Sequence, residues 1–301
     1  MNQLISVVIT TYKRDKRYVK EALDSVVNQT YSPIEILVID DNGTGSEYEV
    51  NLKDLCKQYP NVRYIQNERN SGAQVSRNNG IKASKGEYIA FLDDDDIWDL
   101  HKIEKQVELF SDDTVGMVYC DGYSFEDGNM KNLGVFREAS IYDRPITHDM
   151  EMFNDYVGST SQALIRKDVF DDVGMFDVDM PARQDYEMWL RISRKYKIVG
   201  CPEKLLFYRI HPGERISKNL DKCFRSYELV LKKYSDDYDN NRYAKSKIIL
   251  RLFSTKVKMK DYVSAMGYLA KAFITSPVCV YHVVLRKLQK RTFEEFYRDK
   301  I

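Results

Sequence analysis

No window of the chain reaches the roughly 18 uninterrupted apolar residues that a membrane-spanning helix needs. Residues 1–12 also lack the basic stretch, apolar run and cleavage site of a signal peptide. Neither a spanning helix nor secretion by signal peptide is therefore expected. The five cysteines, Cys56, Cys120, Cys201, Cys223 and Cys279, are scattered, odd in number and include no Cys-x-x-Cys pair. That excludes an evident disulfide framework or thiolate zinc site, and it fits a reducing, cytoplasmic setting. An excess of either charge is missing too, since 46 Lys and Arg balance 46 Asp and Glu.

The zero total hides a division. Residues 242–291 hold twelve Lys and Arg against one acid, Asp261, so this stretch is strongly basic and the rest is correspondingly acidic. Such polarity suits a tail for an anionic surface joined to a body whose acids meet cations. With 43% hydrophobic residues and 22 tyrosines, a 301-residue chain can bury a sizeable core and carry one large domain with an appendage.

Hydrophobic patterning gives the order of elements. Leu4 to Ile9 is a short β-branched run, as in a strand buried on both faces of a parallel sheet. Asp15 then caps a helix with Val19, Ala22, Leu23, Val26 and Val27 at helical spacing, and Ile34 to Ile39 forms a second strand. Further strands are expected at 62–66, 88–92, 115–120 and 162–166, and one or two across 198–210. Helices are expected near 71–83, through Ile103, Val107 and Phe110, at 169–174 and at 185–196. This alternation predicts an α/β sheet with crossovers. Residues 122–156 read as a long loop or flap, interrupted by Gly128, Gly134 and Pro145. The boundary falls near residue 216, giving a body over 1–216 and a basic helical region over 217–301.

In open α/β sheets ligands bind beyond the carboxyl ends of strands, and two acidic clusters lie there. Asp93-Asp94-Asp95-Asp96 directly follows a buried strand. Adjacent carboxylates raise one another's pKa unless a cation compensates, and Mg²⁺ or Mn²⁺ takes oxygen ligands and bridges to phosphates. The same run also suits a solvated turn, with Asp96 or Asp99 capping the next helix. Asp40-Asp41 ends the second strand in an Asp-Asn-Gly turn; beside Thr10, Thr11 and Tyr12 it offers acceptors for a base or ribose and an aromatic surface. Arg77 sits on a helix entered through Ser71-Gly72, a setting for an anionic ligand or for plain capping. Asp185 and Glu187 open a helix, where acids also complement the dipole. His211 is either a loop histidine or a ligand for a Mn²⁺-like ion.

Taken in order, Ser6-Val7-Val8-Ile9-Thr10-Thr11-Tyr12, Ile39-Asp40-Asp41-Asn42, Asn70-Ser71-Gly72-Ala73 with Arg77-Asn78, Phe91 to Trp98, and Asp185-Tyr186-Glu187-Met188-Trp189 resemble the motif series of family 2 glycosyltransferases. The resemblance spans about residues 4–213. It implies a GT-A fold, an inverting mechanism and a nucleotide-diphosphate sugar donor, usually a UDP-sugar. It further implies that Thr10, Thr11, Tyr12, Asp40 and Asp41 hold the nucleoside, that Arg77, Asp93 and Asp94 approach the donor, and that Asp95, with Asp93 and His211, holds the metal. Asp185 resembles the catalytic base. Gln184 departs from the acid found in many relatives, and the extra Asp96 blurs the register of the metal pair.

On this resemblance the acceptor is a saccharide or lipid-linked saccharide, the setting is surface polysaccharide or glycan synthesis, and no nucleic-acid partner is expected. In the tail, Val278, Tyr281, Val284, Leu285 and Leu288 cluster at helical spacing beside Arg286, Lys287, Lys290 and Arg291. That stripe fits packing on the body, a second subunit or the inner face of an anionic membrane. Two other classes compete: a sugar nucleotidyltransferase, which would carry a Gly-rich basic loop in place of Thr10-Thr11-Tyr12-Lys13-Arg14, and a non-catalytic binding module.

Overall fold

The computed structural model describes residues 2–136, 141–210 and 219–289. β1 (Ile5–Thr11) follows from its β-branched run, with Val8 facing one core and Ile5, Val7 and Ile9 the other. α1 (Lys16–Val27) begins at Asp15, whose side chain accepts the Arg17 amide at 2.8 Å. β2 (Ile34–Asp40), α2 (Glu47–Cys56), β3 (Val62–Gln66), α3 (Ala73–Ala83) and β4 (Tyr88–Asp93) complete a parallel half-sheet. Gly80 lets α3 lie directly on β1, because a Cβ there would stand 2.3 Å from Val8 Cγ1.

β5 (Ile97–Trp98), α4 (Lys102–Val107), β6 (Val115–Glu126), β7 (Asn129–Val135), α5 (His148–Phe153), β8 (Ala163–Arg166), α6 (Lys167–Val173), α7 (Gln184–Ser193) and β9 (Lys197–Ile210) follow. Among the described residues the strands form one sheet in the order β3-β2-β1-β4-β8-β6-β9-β5, with β7 added at β6. β8 runs antiparallel to β4 and β6, while β6 and β9 are parallel. One core lies between the sheet and α1, α2 and α4; the other lies beneath α3, α5, α6 and α7. The expected α/β class and mostly parallel GT-A layout are therefore present.

The expected flap at 122–156 is overturned. β6 continues to Glu126, turns through Asp127 and Gly128 (φ 78°), and returns as β7, with Glu126 opposite Asn129. Asp-Gly at a two-residue turn is a strong hairpin signal, and here Gly128 supplies the positive φ that the turn needs. α2 was not expected, and the helix through Ile103 ends at Val107, with Phe110 instead tilted against the Tyr88 ring at 4.6 Å.

The tail supplies α8 (Leu220–Lys233), α9 (Ser235–Asn240), α10 (Arg242–Lys258), α11 (Tyr262–Thr275) and α12 (Pro277–Leu288). Tyr227, Val230, Tyr234, Tyr238, Ile248 and Ile249 join the same core as Phe153, Tyr186 and Trp189, so these helices share the body's interior. Glu187 fastens the join: wholly buried, it accepts from Arg191 (2.8 Å), Lys233 (2.5 Å) and the Tyr234 hydroxyl (2.9 Å). A buried carboxylate is tolerated only when paired in this way. Of the two acids that open α7, Glu187 thus has a structural task.

Candidate active site

β1 has β2 on one side and β4 on the other, all parallel, so the chain reverses its direction of travel across the sheet at β1. Such a switch point opens a crevice at the strands' carboxyl ends. Register places Thr11 beside Asp40, and Thr10 beside both Ile39 and Asp93. Tyr12, just beyond, is 42% exposed and carries Lys13 over its ring at 5.3 Å. It presents an exposed aromatic ring at this edge.

Asp40 and Asp41 reach this edge but are already bonded. Asp40, with no exposed surface, accepts from the Asn42 amide (2.8 Å), the Asn42 side chain (2.6 Å) and the Tyr64 hydroxyl (2.5 Å). Asp41 accepts from Asn67 (2.7 Å) and the amides of Ser71 (2.9 Å) and Gly72 (2.8 Å). It thereby fixes the turn into α3, where Gly72 sits at φ 90°. Both acids act here as scaffold for this edge, a task that residue type alone could not separate from direct contact with a ligand.

The four aspartates at the end of β4 diverge. Asp93 pairs with Arg77 at 2.8 Å, Asp94 with Arg14 Nε at 2.7 Å, and Asp95 with Arg14 Nη2 at 3.0 Å. Burial pushes the Asp94 carboxyl up to about 7, opposed by Arg14 and reinforced by Asp95. Asp96 is raised further by burial and by Asp95 and Asp93; its Oδ1 accepts the Arg209 amide at 3.2 Å, whereas its buried Oδ2 has no hydrogen-bond partner. Asp94 and Asp96 are buried while Asp93 and Asp95 stay partly exposed, and Asp99 accepts the His101 amide at 2.9 Å where α4 begins.

Asp93, Asp94 and Asp95 together hold two guanidinium groups, Arg77 and Arg14, and their oxygens are the hard donors that a divalent cation takes. Among the described residues no three His, Cys, Asp or Glu side chains form a ready metal cage, and His211 lies outside the described residues.

Across the crevice Asp185 lies in the first turn of α7, half-buried. Its carboxyl is pushed upward by burial and by Asp155, against the pull of Arg183 and Arg77. Arg77 therefore acts on both walls, binding Asp93 directly and biasing Asp185, while its buried Nη1 remains without a partner. Arg183 precedes α7 at φ 55°, a strained conformation for a non-glycine residue and one that concentrates at functional sites. Its guanidinium lies 5.5 Å from the Tyr227 ring, and its Nε is unsatisfied. Arg251 of α10 stacks against Tyr186 and Tyr227 at 5.3 and 5.6 Å and donates to Asn154 at 3.0 Å.

Sequence reasoning missed Arg14, Asp155, Arg183 and Arg251. Arg14 and Arg183 were adjacent to recognised motifs; Asp155 and Arg251 come to them only through tertiary packing.

A parallel switch point edged by carboxylates and arginines, with one further acid opposite, defines an α/β transferase of the GT-A class. Residues 6–174 match the family described as Glycosyl transferase family 2. The chain is 32% identical over 226 residues to the uncharacterized glycosyltransferase YwdF of Bacillus subtilis, covering 74% of this chain and 81% of that protein. It is 29% identical over 209 residues to a Methanocaldococcus jannaschii glycosyltransferase, MJ1057, covering 69% and 71%. It also spans 34% of a longer Rickettsia bellii glycosyltransferase, at 29% identity over 78% of this chain.

Among solved structures, S. aureus TarS 1-349 in complex with UDP-GlcNAc superposes with TM-score 0.68 at 14% identity, covering 96% of this chain and 93% of that one. The mannosyltransferase PcManGT of Pyrobaculum calidifontis, in complex with GDP-Man and Mn²⁺, gives 0.60 at 15% identity, covering 94% and 80%. These likenesses concern the fold. The chain belongs to glycosyltransferase family 2.

Proposed function

We propose that the chain is an inverting, metal-dependent hexosyltransferase that moves a sugar from a UDP-sugar to a hydroxyl of a saccharide or lipid-linked saccharide, forming a β-linkage in surface polysaccharide or glycan synthesis. The observation that carries this reading is the switch point at β1, where the family 2 motif acids Asp40, Asp41 and Asp93 stand at neighbouring strand ends and Arg77 pairs with Asp93 at 2.8 Å with its buried Nη1 unpartnered.

In the proposed reaction Asp185 takes the proton of the acceptor hydroxyl. The oxygen attacks the anomeric carbon as the bond to the diphosphate breaks, and the leaving oxygen carries away the electron pair. A base whose pKa lies above the ordinary carboxylate range holds that proton better, which favours transfer at neutral pH. Arg77, with a free buried N–H, and Arg14 provide positive charge where negative charge develops. Asp95 with Asp93 would hold Mn²⁺ or Mg²⁺, which when bound supplies Lewis-acid stabilisation of the diphosphate. Exposed Tyr12 would stack on the base, and Thr10 and Thr11 would line the ribose.

Asp185→Asn should abolish sugar transfer while leaving UDP binding unchanged by calorimetry. Near-normal turnover in that variant would remove Asp185 from the role of base. A panel of UDP- and GDP-sugars, scored by thermal stabilisation, identifies the donor.

A further inference from the structure

α11 and α12 reverse the usual arrangement of a surface helix. The side chains they bury are small, Ala265, Ala272 and Cys279, whereas Val263 is 89% exposed and Ile274 and Leu288 are each 75% exposed. Met266, Phe273 and Tyr281 are also exposed. A helix that packs only on its own protein turns such residues inward, and a contiguous apolar surface marks a place where something else covers it. The sequence placed the apolar stripe on α12 alone; the fold adds α11 to it and turns Leu285 toward the core.

We propose that the outer face of the α11–α12 pair is an interfacial anchor that rests on the surface of an anionic lipid bilayer. Geometry favours lying in the interface over crossing it. The helices have 14 and 12 residues, about 21 and 18 Å at 1.5 Å per residue, and they meet at 115°. Each is shorter than the roughly 30 Å hydrocarbon core.

Charge decides between lipid and a second copy of the chain. Over residues 242–289 ten Lys and Arg face one acid, and Lys258, Lys260, Lys271 and Lys287 are exposed on or beside the pair. Two copies meeting here would bring like charge against like charge. Anionic headgroups would neutralise the lysines while the acyl boundary takes up the apolar side chains.

The anchor is joined to the body through α10: Ser246 donates to the Ala272 carbonyl of α11 at 2.9 Å, and Arg251, on the same helix, donates to Asn154. The inference is independent of the sugar-transfer reading, because it is tested by partitioning and not by turnover.

The test is flotation of the full chain with phosphatidylcholine vesicles and with vesicles containing phosphatidylglycerol, alongside light scattering in solution. The expected result is binding to the anionic vesicles, roughly tenfold weaker on phosphatidylcholine alone or at high salt. Val263→Ser with Ile274→Ser and Leu288→Ser should lose flotation with unchanged circular dichroism. Lys258→Gln with Lys260→Gln, Lys271→Gln and Lys287→Gln should lose the preference for anionic lipid. Absence of flotation on anionic vesicles, or full retention by the apolar triple variant, would overturn the proposal. So would a dimer in solution that the triple variant dissociates, which would assign the face to a second copy.

Discussion

The two walls of the crevice are put together differently. On the side proposed for the donor, Asp40, Asp41 and Asp93 each stand at a strand end, and their bonds run to the neighbouring β3, α3 and the turns beside them: Asn42, Tyr64, Asn67, Ser71, Gly72 and Arg77. On the side proposed for the acceptor, Asp155, Arg183, Asp185 and Arg251 arrive from a loop, the start of α7 and the tail; Asp155 and Asp185 accept the amides of Gly158 and Tyr186, Arg251 donates to Asn154, and the Arg183 Nε has no partner. The proposed donor wall is thus part of the folding framework, whereas the proposed acceptor wall joins parts of the chain that meet only on folding. Damage to the first should cost stability together with binding; damage to the second should cost turnover with little loss of fold.

The largest separation is expected for Asp185→Asn. Loss of a positioned base should lower kcat roughly 10²–10⁴-fold. Burial raises this carboxyl, so folding disfavours its charged form, and the neutral amide should leave the melting temperature equal or slightly higher near neutral pH. A large fall in melting temperature would erase the contrast. Next, Asp41→Ala leaves three donors without their acceptor and should cost about 2–3 kcal/mol in chemical denaturation, with weaker UDP binding. Arg251→Met, which removes the stacked guanidinium and its charge, should raise acceptor KM roughly tenfold with donor KM unchanged, as for loss of about one charged hydrogen bond. Equal effects on both constants would place Arg251 on the donor wall.

The smallest effect concerns pH. Asp94 holds its proton up to about 7 in the folded chain, whereas the unfolded chain releases it near the ordinary carboxylate value. Between those limits the folded state binds more protons, so the metal-free protein should lose stability as pH rises through this window. Mn²⁺ binding, followed by calorimetry, should tighten several-fold from pH 6 to pH 8 as that proton leaves. Affinity independent of pH would remove Asp94 from the cation's surroundings.

The same contrast governs what could be read from residues in a row. β1, β2 and β4 are short β-branched runs that stop at polar clusters, so strand, edge and acid could be inferred together. The acceptor wall has no such local grammar: Asn154 and Arg251 lie 97 positions apart, and only the packing of α10 on α5 brings them together. α2 was missed because its sequence has a weak apolar face, burying Leu52, Leu55 and Cys56. The β6–β7 hairpin was missed although Asp127-Gly128 announces its turn, because Gly128, Gly134 and Pro145 together read as interruptions of a long loop or flap.

Arg14 gives the acidic end of β4 a further property. Since its guanidinium is already shared by Asp94 and Asp95, a divalent ion on the proposed reading would not meet bare carboxylates but would exchange with a tethered monovalent one. Loading would then be a swap that adds one net positive charge to the cluster instead of two, and it would release an arginine two residues beyond Tyr12, within the loop proposed to receive the nucleotide.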